Sequence, residues 1–190
     1  TGIASYVVFG KASGFSASLD LSSLDGSNGF ILDGSPGSLG SASFSVSSAG
    51  DINGDGFDDV IAGGASGSYG GVSYVVFGKA SGFDAHVDGD FNLDEVFGDY
   101  IGASVSGAGD VNSDGFDDVI VGGPRADRNG DNSGTSYVVF GKASGFTTDL
   151  ASIDGNNGFR LDGVAADDRL GASVSSAGDV NDDGFDDWII

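Results

Sequence analysis

Residues 51–59 read DINGDGFDD, residues 110–118 read DVNSDGFDD and residues 179–187 read DVNDDGFDD. In each string an oxygen-bearing side chain stands at the first, third and fifth positions: Asp51, Asn53 and Asp55, then Asp110, Asn112 and Asp114, then Asp179, Asn181 and Asp183. Glycine at the sixth position allows a sharp turn. The main-chain carbonyl of the seventh residue (Phe57, Phe116 or Phe185) is then expected to face inward, and the carboxylate of the ninth (Asp59, Asp118 or Asp187) to close the shell. Such a shell suits a hard cation. Three carboxylates within a few ångströms of one another repel unless a divalent ion lies between them, and Asn at the third position tempers that repulsion. Calcium at three sites is therefore the expected cofactor. Magnesium keeps several waters and seldom uses a dedicated protein cage, and softer metals want His or Cys, of which the chain has one and none. An EF-hand needs Glu at the twelfth position, where Ala62, Val121 and Ile190 stand in apolar runs. A metal-free cluster of Asx turns is the alternative, and the threefold recurrence of one pattern argues against it.

Outward from these strings the chain repeats. SYVVFGKASGF begins at Ser5, Ser73 and Ser136, giving a period of roughly 60 to 70 residues. A Gly-Phe segment recurs as GFILDG from Gly29 and GFRLDG from Gly158, with DFNLDE from Asp90 as a degenerate copy. A run of Gly, Ser and Ala ending in Ser-Val precedes each acidic string. Each of these segments is short, β-branched, aromatic or small, and ended by Gly, so four strands per repeat are expected. In Tyr74, Val75, Val76 and Phe77 both alternating sets are apolar, which predicts burial of both faces. Ala103, Ser104, Val105 and Ser106 are small and suit a strand squeezed near an axis. The fold class expected is all-β, a propeller of four-stranded blades, with a stacked solenoid as the alternative.

Composition narrows the partners. Gly contributes 36 residues and Pro 2, and hydrophobic residues make up 39%, which excludes collagen-like and disordered chains. The formal net charge of -22 repels phosphate backbones and anionic head groups, so neither nucleic acid nor membrane insertion is expected. No apolar run approaches the length of a membrane span.

The acidic strings, the Ser-Val segments before them and the Gly-Gly-Ala and Gly-Gly-Pro after them (residues 63–65 and 122–124) resemble the FG-GAP repeat of the integrin α-subunit propeller. The resemblance covers nearly the whole chain and is closer to the bacterial versions of the repeat, found in long extracellular proteins. Leu39-Gly40, Ile101-Gly102 and Leu170-Gly171 stand where the family has Phe-Gly. The resemblance implies that each acidic loop joins the first and second strands of a blade and binds calcium, and that the chain is extracellular or at the cell surface. Residues 1–38 are then strands three and four of one blade, 39–100 and 101–168 are whole blades, and 169–190 are strands one and two of another. Three blades' worth of strands is too few to close a ring, so self-association is expected, as a six-bladed homodimer, unless further repeats of a longer parent chain do the same. Trp188 is expected to pass from exposed to buried as the dimer forms.

Catalysis is not expected. His86 is the only histidine and has no repeated acid beside it, and Phe77-Gly78-Lys79-Ala80 lacks the upstream Gly and the Ser or Thr of a phosphate loop. Lys11, Lys79 and Lys142 recur in register and read as structural. The insertion RADRNGDNSG from Arg125 reads as a polar, mobile hairpin loop or an exposed binding loop. The function expected is a non-catalytic module for adhesion, scaffolding or binding of a protein or carbohydrate ligand. The alternative is an accessory propeller of a larger secreted enzyme.

Overall fold

The repeats fold into short antiparallel strands whose ladders follow the repeat. The structure, a computed structural model, describes residues 4–33, 43–66, 70–94 and 98–190, so the Leu39-Gly40 pair lies outside the described residues. Thirteen strands follow in order: β1 (Ala4–Val8), β2 (Gly29–Asp33), β3 (Ser43–Gly50), β4 (Asp59–Ser66), β5 (Gly70–Val76), β6 (His86–Val87), β7 (Phe91–Asp94), β8 (Ser104–Gly109), β9 (Asp118–Gly123), β10 (Thr135–Val139), β11 (Gly158–Asp162), β12 (Ser175–Gly178) and β13 (Asp187–Ile189). Two sheets have four strands, in the orders β3-β4-β5-β7 and β8-β9-β10-β11. β12 pairs with β13 alone, and β1 pairs with β2, on whose far side the two residues of β6 add a parallel edge. The fold is all-β, with separate blade-like sheets and no solenoid coil.

Each acidic string is the turn of the hairpin between an inner Ser-rich strand and an apolar second strand, as in β3–β4. A bulge precedes the turn in all three copies, at Ser48/Gly50, Gly107/Gly109 and Ser176/Gly178, where Gly50, Gly109 and Gly178 take the left-handed φ values of 70°, 74° and 65°. A bulge adds one residue and bends the strand into its loop. SYVVFG supplies the third strand, and the register Val60↔Val76, Ile61↔Val75, Ala62↔Tyr74 recurs as Val119↔Val139, Ile120↔Val138, Val121↔Tyr137.

Both faces of the third strand are buried, as its apolar alternation predicts: Tyr74, Val75 and Val76 are at most 6% exposed. The core lies between sheets. Ile61, Val75 and Leu93 of one blade pack in one cluster with Val105, Val119, Val121 and Tyr137 of the next. Around the small inner strands, serine hydroxyls tie neighbouring blades together: Val105 N donates to Ser45 Oγ at 3.0 Å, and Val174 N donates to Ser104 Oγ at 2.9 Å. At the outer end, the Phe that closes SYVVFGKASGF reaches back to the preceding blade. Phe146 stacks on Phe91 at 4.6 Å and lies 5.5 Å from Phe77, while Phe83 stacks on Phe30 at 4.9 Å and lies 5.4 Å from Phe9.

The insertion from Arg125 is the hairpin connection between β9 and β10, the first of its two expected readings. Ala126 and Ser133 are fully buried in it, Arg128 pairs with Asp99 at 3.2 Å on one side, and Asn129 Nδ2 donates to the Gly163 carbonyl at 2.8 Å on the other. Its polar residues are spent on the two connections that flank it. Trp188 is already half-buried, 5.5 Å from Phe159, because the neighbouring blade supplies a wall for it.

Candidate metal-binding loops

The three acidic loops share one geometry. In the first, the backbone N–H of Asp55 donates to both Asp51 Oδ1 (3.0 Å) and Asn53 Oδ1 (2.8 Å), Gly56 N donates to Asp51 Oδ2 (2.8 Å), and Phe57 N donates to Asp55 Oδ1 (2.9 Å). The second loop repeats this with Asp114 N on Asp110 Oδ1 (3.0 Å) and Asn112 Oδ1 (2.9 Å), Gly115 N on Asp110 Oδ2 (2.9 Å) and Phe116 N on Asp114 Oδ1 (3.0 Å). In the third, Asp183 N and Gly184 N donate to Asp179 at 3.1 and 2.8 Å, and Phe185 N to Asp183 Oδ1 at 3.0 Å. The sixth-position glycines have φ of 89°, 90° and 89°, a left-handed conformation that makes the turn possible. The bonds from Gly184 and Asp183 hold the Asp179 carboxyl below its usual range.

In the first two loops hydrogen bonds link the first, third and fifth residues, and in the third they link the first and fifth. Among the described residues no three His, Cys, Asp or Glu side chains are gathered as a metal needs. Each of the first two loops instead brings one carboxylate and one carboxamide oxygen to a common amide, that of Asp55 or Asp114, with the Asn53 and Asn112 side-chain NH2 groups donating to the Asp55 and Asp114 carboxylates at 3.0 and 2.9 Å. The donor set consists of oxygens on a tight turn, and its chemistry fits a hard cation.

The ninth position also ties the loop to the fold. Asp59 is 1% exposed, and its two oxygens accept from Ile52 N (3.0 Å) and Gly78 N (2.7 Å). Asp118 is fully buried and accepts from Val111 N (2.9 Å) and Gly141 N (2.8 Å), while Asp187 accepts from Val180 N at 2.9 Å. Asp59 and Asp118 thus fasten the start of the loop to the residues just after the third strand. Burial pushes Asp59 up to about 6 and Asp118 to about 7, against the backbone N–H bonds, and the charges of Asp55 and Asp51, or Asp114 and Asp110, add to the rise. A buried carboxyl whose ionisation is opposed by burial and by two further carboxylates is the electrostatic setting that a divalent cation relieves.

A further acid matters that ligand spacing does not reveal. The eighth-position Asp117 crosses to the preceding loop, where its Oδ2 accepts from Asp51 N at 2.8 Å; Asp186 does the same for Asp110 N at 3.1 Å. Asp117 N donates to the Asp51 carbonyl (3.2 Å) and Lys142 N to the Ile52 carbonyl (2.8 Å). Adjacent loops are thus linked in series along one edge of the blades. The signal was present as a second Asp in all three strings, with no way to tell which loop it served.

The remaining candidates stay outside any site. His86 lies on the exposed two-residue β6. Lys11 and Lys79 lie over Phe15 and Phe83 at 5.0 and 4.7 Å, which fits their structural reading.

Comparison with known proteins agrees with this geometry. The family profile of the FG-GAP repeat matches residues 44–76 and 102–139, the two inner hairpins with their third strands. Integrin alpha pat-2 of Caenorhabditis briggsae is 35% identical over 76% of this chain, integrin alpha-4 of Xenopus laevis 26% over 80%, and integrin alpha-6 of Gallus gallus 37% over 43%. The chain spans only 12%, 14% and 7% of the length of these relatives. The chain is built of FG-GAP repeats of the integrin α type.

Proposed function

We propose that this chain is a calcium-binding β-propeller module, extracellular or at the cell surface, that serves adhesion, ligand binding or scaffolding and not catalysis. The observation that carries the reading is the triplicate loop: in three turns of one backbone shape the first-position carboxylate accepts from the amides of the fifth and sixth residues, and oxygen-bearing side chains stand at the first, third and fifth positions. Asp51, Asn53 and Asp55, with the Phe57 carbonyl and Asp59, would hold the first ion. The equivalent sets at 110, 112, 114, 116 and 118 and at 179, 181, 183, 185 and 187 would hold the others. Calcium bound there would supply positive charge beside the buried Asp59 and Asp118. The likeness to integrin α chains supports a protein or carbohydrate ligand.

Equilibrium dialysis against labelled calcium tests the reading. Three equivalents per chain are expected, with dissociation constants on the order of 0.1 to 1 mM, the range of extracellular modules. The double substitution Asp51→Asn, Asp55→Asn should leave two. Less than one equivalent bound at millimolar calcium would overturn the proposal. Catalysis is tested separately, because every polar constellation described above recurs in register whereas an active site is normally a single asymmetric grouping. A hydrolase substrate panel should give no turnover above blank. Reproducible turnover abolished by His86→Ala would refute the non-catalytic reading.

A further inference from the structure

Contacts between neighbouring acidic loops recur in register. Asp117 holds the main chain of Asp51 at both of its polar groups: its Oδ2 accepts from Asp51 N at 2.8 Å, and its own N–H donates to the Asp51 carbonyl at 3.2 Å. In the next pair Asp186 Oδ2 accepts from Asp110 N at 3.1 Å. A glycine leaves the space for each carboxylate. A Cβ on Gly50 would lie 2.1 Å from Asp117 Oδ2, and one on Gly109 would lie 2.2 Å from Asp186 Oδ2. The Phe116 ring fits over Gly54 in the same way, where a Cβ would meet the ring edge at 2.6 Å. These bonds span 66 and 76 residues, so they come from the stacking of blades and not from either turn.

We infer that Asp117 and Asp186 are positioning residues that couple the loops, so that a cation held in one loop raises the affinity of the loop before it. Asp117 stands between Phe116 and Asp118, whose carbonyl and carboxylate are the donors its own loop would give to an ion. A cation in the second loop fixes both of these neighbours, and with them the backbone from which the Asp117 carboxylate reaches Asp51 N. Asp51 is the first donor residue of the first loop, and its carboxylate already accepts from Asp55 N at 3.0 Å and Gly56 N at 2.8 Å. With its main chain held as well, the first loop has less freedom to lose when it takes its own ion, and a site ordered by one ligand binds the next more tightly. The same relation joins the third loop to the second through Asp186. Linkage makes the effect reciprocal: an ion in the first loop raises the affinity of the second by the same factor. The eighth-position carboxylate thus serves the loop of the neighbouring blade and not its own.

The inference rests on the calcium reading, and its test tells the two failures apart. The amides of Gly56 and Gly115 each donate to the first carboxylate of their own loop, so their NMR shifts in the isotope-labelled chain follow a calcium titration loop by loop. Disabling the second loop with Asp110→Asn, Asp114→Asn should raise the calcium midpoint at Gly56 at least about fivefold, the lower end of coupling between sites. In an Asp117→Ala background the same change should move that midpoint less than about twofold, the limit of additivity for independent sites. Asp117→Asn keeps an oxygen for Asp51 N and should restore the full shift. A residue that only stabilised the fold would weaken the first loop equally with and without the second, and the cycle would show no coupling. Should Asp117→Ala not fold, the third loop carries the test: Asp179→Asn, Asp183→Asn should raise the midpoint at Gly115, and Asp186→Ala should remove that rise. A Gly56 midpoint unmoved by loss of the second loop, or a rise that persists in Asp117→Ala, would overturn the coupling and leave the calcium sites standing. No calcium-dependent shift at either glycine would overturn both.

Discussion

Removing calcium is expected to lower the melting temperature of this chain by about 10 °C. At a tenfold excess over a sub-millimolar dissociation constant each occupied loop contributes about 1.4 kcal/mol, so three loops contribute roughly 4 kcal/mol. That is a large share of the 5–15 kcal/mol typical of a folded domain. For a chain of this length each kcal/mol moves the midpoint by about 2–4 °C. The pH dependence sharpens the test. Asp59 and Asp118 have folded values raised to about 6 and about 7, chiefly by burial. A raised carboxyl contributes stability that is complete below its unfolded value near 4 and is lost as the pH climbs through the folded value. In EDTA the midpoint should therefore fall between pH 5 and pH 7.5. In excess calcium the order should reverse, because the ion competes with protons for the same carboxylates. Scanning calorimetry at the two pH values, with and without chelator, checks both signs. A melt unchanged by EDTA would sink the calcium reading, and a chelated midpoint that rises with pH would sink the electrostatic one.

Gly122→Ala is expected to cost about 3 kcal/mol, the upper part of the range for overpacking a well-packed interior. A Cβ at Gly122 would lie 2.1 Å from the carbonyl oxygen of Gly171 and 2.9 Å from its Cα, and a Cβ at Gly63 would lie 2.4 Å from the Gly102 carbonyl. These glycines lie within the second strands β4 and β9, and each lets the segment leading into the next blade pass against the sheet. The obstacle is backbone, which cannot rotate away as a side chain can. Gly10→Ala serves as the control, since nothing lies within 4 Å of its Cβ position and its φ is ordinary. The control should stay within about 0.5 kcal/mol of the parent in urea denaturation. Equal losses in both variants would mean that the close approach between blades is not what Gly122 provides.

The glycine also shows where sequence reading stops. Its recurrence as Gly63 and Gly122 was visible, but nothing local distinguishes a glycine that turns the chain from one that another segment passes over. The loops are the opposite case. Asp51, Asn53 and Asp55 meet because they share one tight turn, and the hydrogen bonds that gather them span two to five residues. Local spacing fixes such contacts whatever the rest of the chain does, so the converging donors were legible three times over. The strands were legible for the same reason: SYVVFG carries both buried faces in its own composition, and each hairpin pairs neighbours in sequence.

Tertiary structure alone decided how repeats meet. Asp117 reaches Asp51 N across 66 residues, Phe146 finds the Phe77–Phe91 pair of the blade before it, and Gly122 passes under Gly171. The ninth-position carboxylates belong here too, because Asp118 meets Gly141 N only once the third strand has come back beside the loop. In each case the sequence supplied a repeated residue, and the stacking of one blade on the next chose its partner.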